Sequence, residues 1–305
     1  MDPMTRAWDP GRPVDPRGTL AVHRRGAGDP THRTTPDGAV WRTARTPEGP
    51  VTVRLTVRRA DGVVEARAWG PGATWVLDAV PAWLGEADLE DGFAPAHPVL
   101  RRVRARTRAW RIGRTGLVLE ALVPAVLEQK VTGAEARRGW RTLLHRFGTP
   151  APGPAPAGMR VVPTPAEWAS LPSWEWHRAG IGPQRARTAV RAALVAARLE
   201  EVAGMRREDA DRRLRSVPGV GVWTAAEVRQ RALGDVDAVS VGDFHLCRQV
   251  GWVLAGEERA DDARMLELLE PYRGHRYRVC RLVELSGLAP ERRGPRLAPR
   301  DFRAM

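Results

Sequence analysis

The sequence has few cysteines, almost no lysine and no long apolar run. Its 305 residues include 2 cysteines, Cys247 and Cys280, too few for a disulfide framework, an iron–sulfur cluster or a cysteine-rich zinc site. No stretch reaches the roughly 18 apolar residues of a membrane-spanning helix, and the first residues lack the apolar core of a signal peptide. We therefore expect a soluble cytoplasmic protein with no membrane partner and no metal site that the sequence identifies.

Arginine is what the sequence has in abundance. Lys130 is the only lysine, and 49 basic against 36 acidic residues leave a formal net charge of +13. Such a balance is typical of a protein that binds a polyanion such as nucleic acid, although an arginine-rich composition without a binding role produces it too. The segment 101–114 holds seven arginines, and it is either a solvated helix face or a stripe that faces phosphates.

The patterning predicts an α+β protein that is mostly α. Residues 1–35 are rich in proline, glycine, arginine and aspartate without apolar periodicity, which predicts a disordered basic arm. Residues 36–97 are predicted to form a small antiparallel β domain, with strands at 51–58, 63–69 and 74–80. Residues 98–290 show helical patterning, and 291–305 are predicted to be a C-terminal tail.

Two short motifs define turns between predicted helices. The capping boxes Thr132–Glu135 and Thr164–Glu167 each begin a helix, and the first leaves residues 128–131 at a helix corner. Predicted helices at 208–217 and 222–233 are joined only by Pro218-Gly219-Val220-Gly221. Val220 is expected in the core, while the two glycines can expose N–H groups that favour a phosphate. An ordinary helix turn without a ligand would have the same sequence.

Asp243 is the candidate catalytic residue. It follows an extended connection and lies where the N-cap of a helix at 244–254 is expected. Capping alone explains an aspartate there. A helix N-terminus also favours the ionised carboxylate, which suits a group that faces a developing cation.

Several motifs together resemble the helix-hairpin-helix DNA glycosylase superfamily. They are Pro218–Gly221 followed by Trp223-Thr224-Ala225, the run Gly234-Asp235 with Asp237, and Asp243. Within it the chain is most similar to the 3-methyladenine DNA glycosylase II branch, over about residues 36–290. The resemblance implies a two-lobed helical domain after the small β domain. It also implies an enzyme that flips alkylated purines out of double-stranded DNA and hydrolyses their N-glycosidic bond, and a monomer is the default expectation.

The resemblance implies roles at the hairpin and at Asp243. The amides of Gly219 and Gly221 would hold a phosphate, within a hairpin site that includes Pro218, Val220 and Thr224. A monovalent cation, Na⁺ or K⁺, is the one ion expected, at the hairpin carbonyls, and no cofactor is required. Asp243 would be the catalytic carboxylate that stabilises the oxocarbenium-like sugar or helps water attack C1′.

It also implies a base pocket and a wedge. The pocket residues would be Trp223, Glu227, Phe244 and Glu284. The two glutamates align with positions where aromatic residues are expected, and they would make the pocket acidic if both face it; an alignment shifted by one residue would instead place either of them in solvent. For Trp223 and Phe244, core packing is an open alternative. Gln129 and Lys130 match the wedge that fills the gap left by the flipped base, although Lys130 could equally be a solvated residue at a helix end.

Two other functions stay open. Bifunctional members place a lysine at position 223, where this chain has a tryptophan, so a monofunctional glycosylase is expected. The alternatives are a damaged-DNA-binding module that does not cut, and an oxidised-purine glycosylase with lyase activity through Lys130.

Overall fold

A five-stranded antiparallel sheet forms the N-terminal part of the protein. The structure is a computed structural model that describes residues 2–58, 60–90 and 92–291. The strands are arranged in the order β1-β5-β4-β3-β2. Their bounds are β1 Met4–Trp8, β2 His32–Thr34, β3 Val40–Thr46, β4 Gly49–Val57 and β5 Val64–Trp69. Two of the three strands predicted from period-2 alternation are thus confirmed as β4 and β5.

The third predicted strand, 74–80, is wrong, because this segment lies in a helix. Helix α2 spans Ala73–Trp83 and packs on β4 and β5. Its buried residues Val76, Leu77 and Val80 have the i, i+1, i+4 spacing of a helix face, which a window of seven apolar-rich residues did not separate from a strand. The sheet edge that the predicted strand would have used is occupied by β1, which pairs with β5.

The prediction of a disordered arm at residues 1–35 is also wrong. This segment contributes β1, helix α1 (Pro16–Leu20) and β2, so the sheet domain begins well before residue 36. A few buried residues hold this segment in place, although it has no periodic apolar pattern. Leu20 is fully buried, and Asp29 accepts hydrogen bonds from the amides of Arg25 (2.6 Å) and Thr31 (2.9 Å) and from the Trp140 indole (3.0 Å). The Thr31 hydroxyl also donates to Asp29 (2.9 Å), so this buried carboxylate ties the segment to the rest of the fold without an apolar stripe.

Helices make up the rest of the described chain, together with a ribbon of β6 (Thr149–Pro150) and β7 (Arg160–Val161). Both predicted capping boxes are confirmed, at the starts of α5 and α6. Helix α11 continues into a single π-helical turn, Arg229–Leu233, which ends at Gly234. The helices are α3 Pro98–Arg106, α4 Val118–Leu127, α5 Gly133–Phe147, α6 Pro165–Ser170, α7 Ser173–Arg178, α8 Pro183–Leu194, α9 Ala196–Glu200, α10 Arg207–Arg215, α11 Val222–Val228, α12 Leu246–Ala255, α13 Asp262–Leu269 and α14 Arg276–Leu285.

The helices form two lobes with separate cores. One core includes the buried faces of α4, α5, α8, α10 and α11, and the other those of α3 and α12–α14. The chain crosses from the first lobe to the second in residues 234–245, which contain Asp243. The predicted α+β fold with a two-lobed helical part is therefore confirmed. The predicted tail, 291–305, lies outside the described residues except for Glu291.

Candidate active site

The hairpin between α10 and α11 uses its two glycines differently. Gly219 has φ +99°, and a Cβ there would lie 2.0 Å from the Thr188 hydroxyl oxygen. Gly221 has φ −94°, and a Cβ there would meet nothing within 4 Å. Between them Val220 is buried, as predicted, and its amide donates to the Val217 carbonyl at 2.9 Å. Gly219 is therefore required by the fold, whereas Gly221 leaves an open approach to the backbone.

Two amides of the hairpin point away from any acceptor in the protein. The N–H groups of Gly219 and Gly221 donate to no group in the described part of the chain, and both residues are exposed. Exposed Pro218 precedes them, and the first turn of α11 follows. Free N–H groups at such a turn are suited to bind an anionic oxygen.

At the corner between α4 and α5, Gln129 does not take the predicted wedge position. The side-chain amide of Gln129 donates to the Gly219 carbonyl (3.0 Å) and to the Thr224 hydroxyl (2.8 Å), so Gln129 supports the hairpin rather than projecting from the corner. Thr224 is 2% exposed, which removes it from the predicted phosphate contacts. The hydroxyl lies behind the hairpin because Thr224 faces the helical core.

Lys130 is the residue that projects at this corner. It is exposed and has φ +52°, a left-handed conformation that costs a residue with a Cβ about 1 kcal/mol. Its neighbours are fixed on both sides: Gln129 binds the hairpin, and Glu128 accepts two hydrogen bonds from the Arg25 guanidinium at 2.9 and 3.0 Å. Anchors on both sides are what hold a residue in an unfavourable backbone conformation.

Both oxygens of the Asp243 carboxylate accept hydrogen bonds. Its Oδ1 accepts from the amides of His245 (2.8 Å) and Leu246 (2.9 Å), so it binds the turn that leads into α12, whose N-cap position is His245 rather than Asp243 as predicted. Its Oδ2 accepts from the indole N–H of Trp223 at 3.2 Å. Helix α12 begins two residues later than predicted, so Asp243 precedes the helix by a short turn. The carboxylate is half-buried, with one face left towards solvent.

The two aromatic candidates occupy different surroundings. Trp223 is half-buried and its indole N–H is used by Asp243, so it orients the carboxylate in addition to offering an aromatic face. Phe244 is 64% exposed, and its ring contacts the guanidinium of Arg248 at 4.9 Å and the imidazole of His245. Phe244 thus lies on the outer surface beside Asp243, and core packing does not account for it.

The two glutamates do not make an acidic pocket, contrary to the prediction. Glu227 is buried, accepts from the Ser240 hydroxyl at 2.6 Å and pairs with Arg231 at 2.7 Å. Glu284 pairs with Arg281, and its side chain keeps 40% exposure. Burial of its surroundings raises the pKa of Glu284, against the attraction of Arg281. Each negative charge therefore has its own arginine, and the adjoining Tyr277 is buried enough to raise its pKa to about 12.

Several residues around the site were not predicted from the sequence. Arg25 was assigned to a disordered arm, and no periodic signal marks it. Ser240 and Gln230 lie beside Glu227, but only the three-dimensional turn of the connection brings them there. The i, i+4 spacing of Glu227 and Arg231 was the one visible signal of their pairing.

The described residues contain neither a group of metal ligands nor a membrane-spanning helix. Within 2–58, 60–90 and 92–291, no three His, Cys, Asp or Glu residues are grouped so as to hold a metal ion. In the same ranges, no helix is both long enough and apolar enough to cross a membrane. Cys280 is buried and Cys247 partly exposed, and both are free thiols.

The chain was compared with known proteins by sequence and by fold. No family model matches the chain. A curated relative from Mycobacterium tuberculosis, named as a probable bifunctional transcriptional activator/DNA repair enzyme AlkA, is 33% identical over 172 residues, which cover 56% of this chain and 33% of the relative. The chain thus spans about a third of that relative's length.

Solved structures share the fold at low identity. The 3-methyladenine DNA glycosylase of Archaeoglobus fulgidus superposes with a TM-score of 0.76 at 18% identity, covering 92% of this chain and 98% of that one. An 8-oxoguanine glycosylase/lyase of Clostridium acetobutylicum in complex with DNA has a TM-score of 0.65 at 11% identity, covering 94% and 98%.

A five-stranded sheet followed by two helical lobes is thus the fold that this chain shares with the Archaeoglobus 3-methyladenine DNA glycosylase. In sequence, 172 of its residues are similar to the Mycobacterium relative named as a DNA repair enzyme AlkA.

Proposed function

We propose that this protein is a monofunctional DNA glycosylase that removes alkylated purines, such as 3-methyladenine, from double-stranded DNA. The observation that carries the proposal is the position of Asp243. Its carboxylate is oriented by Trp223, which follows the hairpin whose Gly219 and Gly221 amides are free. A phosphate-binding turn next to an oriented carboxylate is the arrangement that cleavage of a glycosidic bond in DNA requires.

The proposed reaction assigns a task to each part of the site. The free hairpin amides hold a phosphate beside the lesion, and Lys130 enters the gap left when the nucleotide is flipped. As the base departs, positive charge develops on the sugar, and the Asp243 carboxylate stabilises it while water attacks C1′. An alkylated purine is already cationic, so it leaves with little help from a general acid. Trp223 stands where a Schiff-base lysine would be, which favours hydrolysis over strand cleavage.

The remaining assignments follow from the same proposal. The substrate class comes from the name of the Archaeoglobus protein, and the role in DNA repair from that of the Mycobacterium relative. The reaction needs no cofactor, and we propose that the enzyme acts as a monomer on cytoplasmic DNA. A monovalent cation at the hairpin carbonyls stays a prediction. Phe244 and the aromatic face of Trp223 are the surfaces offered to the flipped base.

The test is base release from methylated duplex DNA, with wild type and Asp243→Asn side by side. Asparagine keeps an oxygen that can accept from the His245 and Leu246 amides but removes the charge, so we expect release to fall at least about 10²-fold. Affinity for abasic-site DNA should change little. Chromatography of the freed bases measures release, and titration of labelled DNA measures binding.

Other outcomes would support the alternatives. Tight binding by wild type without release of any base would indicate a module that binds damaged DNA and does not cut. A covalent adduct trapped by borohydride would indicate a lyase that uses Lys130.

A further inference from the structure

One side of α11 and of the π-helical turn that continues it holds the connection that carries Asp243. Trp223 binds the Asp243 carboxylate, Glu227 binds the Ser240 hydroxyl at 2.6 Å, and Gln230 donates to the Ala238 carbonyl (2.9 Å) and to the Ser240 hydroxyl (2.8 Å). Trp223 and Glu227 are spaced i, i+4 on α11, and Gln230 follows in the π-helical turn, so the three side chains hold the connection from the same side. The connection is therefore held at three points along its length.

Ser240 is the central one of these points. Its buried hydroxyl donates to Glu227 and accepts from Gln230, so the single O–H donor and one acceptor position of the hydroxyl are bound within the protein. Its carbonyl accepts the amide of Asp243 at 3.2 Å. A displacement of Ser240 is thus passed directly to the backbone of Asp243.

Glu227 is itself held in place by Arg231. Its second oxygen pairs with Arg231, whose guanidinium also donates to the Val22 carbonyl at 3.0 Å. Burial would lower the pKa of Arg231, but the attraction of Glu227 and of the nearby Glu128 outweighs it, so the guanidinium keeps its charge. Both oxygens of Glu227 therefore have protein partners, and a flipped base would have to displace one to bind there.

We propose that Glu227 and Ser240 are positioning residues that set the location of the Asp243 carboxylate, and that Glu227 does not contact the flipped base. The inference rests on the proposed function for its kinetic consequence. Its structural part, the attachment of the Asp243 connection to α11, does not depend on which reaction the site performs.

Removal of the Ser240 hydroxyl is the first test. In Ser240→Ala, Glu227 and Gln230 each lose a buried partner, and the connection is free to shift. Because a displacement of about 1 Å of a catalytic group costs on the order of 10²-fold in rate, we expect the single-turnover rate of base release to fall by about 10- to 100-fold. The Kd for abasic-site DNA should stay within about twofold, because the hairpin is untouched.

Matched variants separate positioning from general destabilisation. Ser240→Thr restores a hydroxyl and should recover most of the rate. Ser170→Ala removes a serine hydroxyl that binds only the Glu167 carbonyl at an exposed position, and it should leave the rate unchanged. Glu227→Gln keeps an oxygen for Ser240, so it should retain more activity than Ser240→Ala although Arg231 loses its counter-ion.

A second readout does not need activity. The amides of His245 and Leu246 both donate to Asp243, so hydrogen exchange in residues 240–246 should be faster in Ser240→Ala than in wild type. Exchange in the hairpin, 218–222, should be unchanged.

The outcomes are distinguishable. Unchanged release and unchanged exchange in Ser240→Ala would overturn the positioning role, as would a loss of rate that Ser240→Thr does not recover. An equal loss of rate and DNA affinity would place Ser240 in binding instead. If wild type releases no base from methylated DNA, the proposed function fails, while the exchange comparison still decides the positioning role.

Discussion

At the residue scale, the two glycines of the hairpin are glycines for different reasons. Gly219 is needed because its backbone has φ +99° and Thr188 leaves no room for a side chain. Gly221 has an ordinary backbone conformation and open space in front of it, so nothing inside the protein requires a glycine there. The space in front of Gly221 is where the proposed phosphate would approach.

Gly221→Ala should therefore weaken DNA binding without weakening the fold. The added methyl group stands in the phosphate's path, and we expect the Kd for abasic-site DNA to rise about tenfold, or about 1.4 kcal/mol, with little change in the unfolding midpoint. Fluorescence anisotropy and thermal unfolding measure the two effects. Unchanged affinity would place the phosphate elsewhere.

Gly219→Ala should instead weaken the fold. Alanine at a positive φ, pressed against Thr188, should lower the free energy of unfolding by about 1–3 kcal/mol, as judged by urea titration. An unfolding midpoint equal to that of wild type would contradict this account of the turn.

At the element scale, local motifs were predicted well and long-range anchors were not. The capping boxes and the hairpin depend on residues within a few positions of one another, so their patterns are visible in the sequence. The strand β1 and the ion pair between Arg25 and Glu128 depend on contacts between distant parts of the chain. Proline, glycine and arginine content alone could not reveal them.

Gln129 shows the same limit at the corner between α4 and α5. The family pattern placed it at the wedge, but its amide is taken by the hairpin, which leaves Lys130 as the projecting residue. The corner is thus a joint element made of two segments about ninety residues apart, and its shape follows from that contact.

Lys130→Gly should separate stability from function at this corner. Glycine relieves the left-handed strain, so we expect the free energy of unfolding to rise by up to about 1 kcal/mol. The rate of base release should fall, because the side chain that fills the gap in the duplex is gone. Urea titration and single-turnover release measure the two, with Lys130→Asn as a control that tolerates the same backbone. A faster release by the glycine variant would contradict the wedge role.

At the scale of the whole molecule, the sheet domain is docked to the helices through buried polar contacts. Arg42 pairs with Glu120 at 2.8 Å, and His32 lies beside Arg42 in the same interior. Burial, together with Arg42, lowers the pKa of His32 to about 4. The folded protein therefore holds His32 neutral through the mildly acidic range.

This predicts a loss of stability in mild acid. The unfolded chain binds a proton at His32 below about pH 6.5 and the folded chain only near pH 4, so His32 destabilises the fold as the pH falls between these values, by about 2 kcal/mol at pH 5. His32→Gln should show a correspondingly smaller fall in the free energy of unfolding between pH 7 and pH 5. His145→Gln, at an exposed histidine, should keep the wild-type dependence. Equal slopes in all three proteins would contradict the buried, neutral state.

The exposed corner at Lys130 has a practical consequence as well. Because this sequence contains a single lysine, an amine-reactive dye has one side-chain target, which lies next to the hairpin. A fluorophore attached there would report the arrival of DNA at one defined point. Protection of the same amine from modification by bound duplex would map the contact without any substitution in the chain.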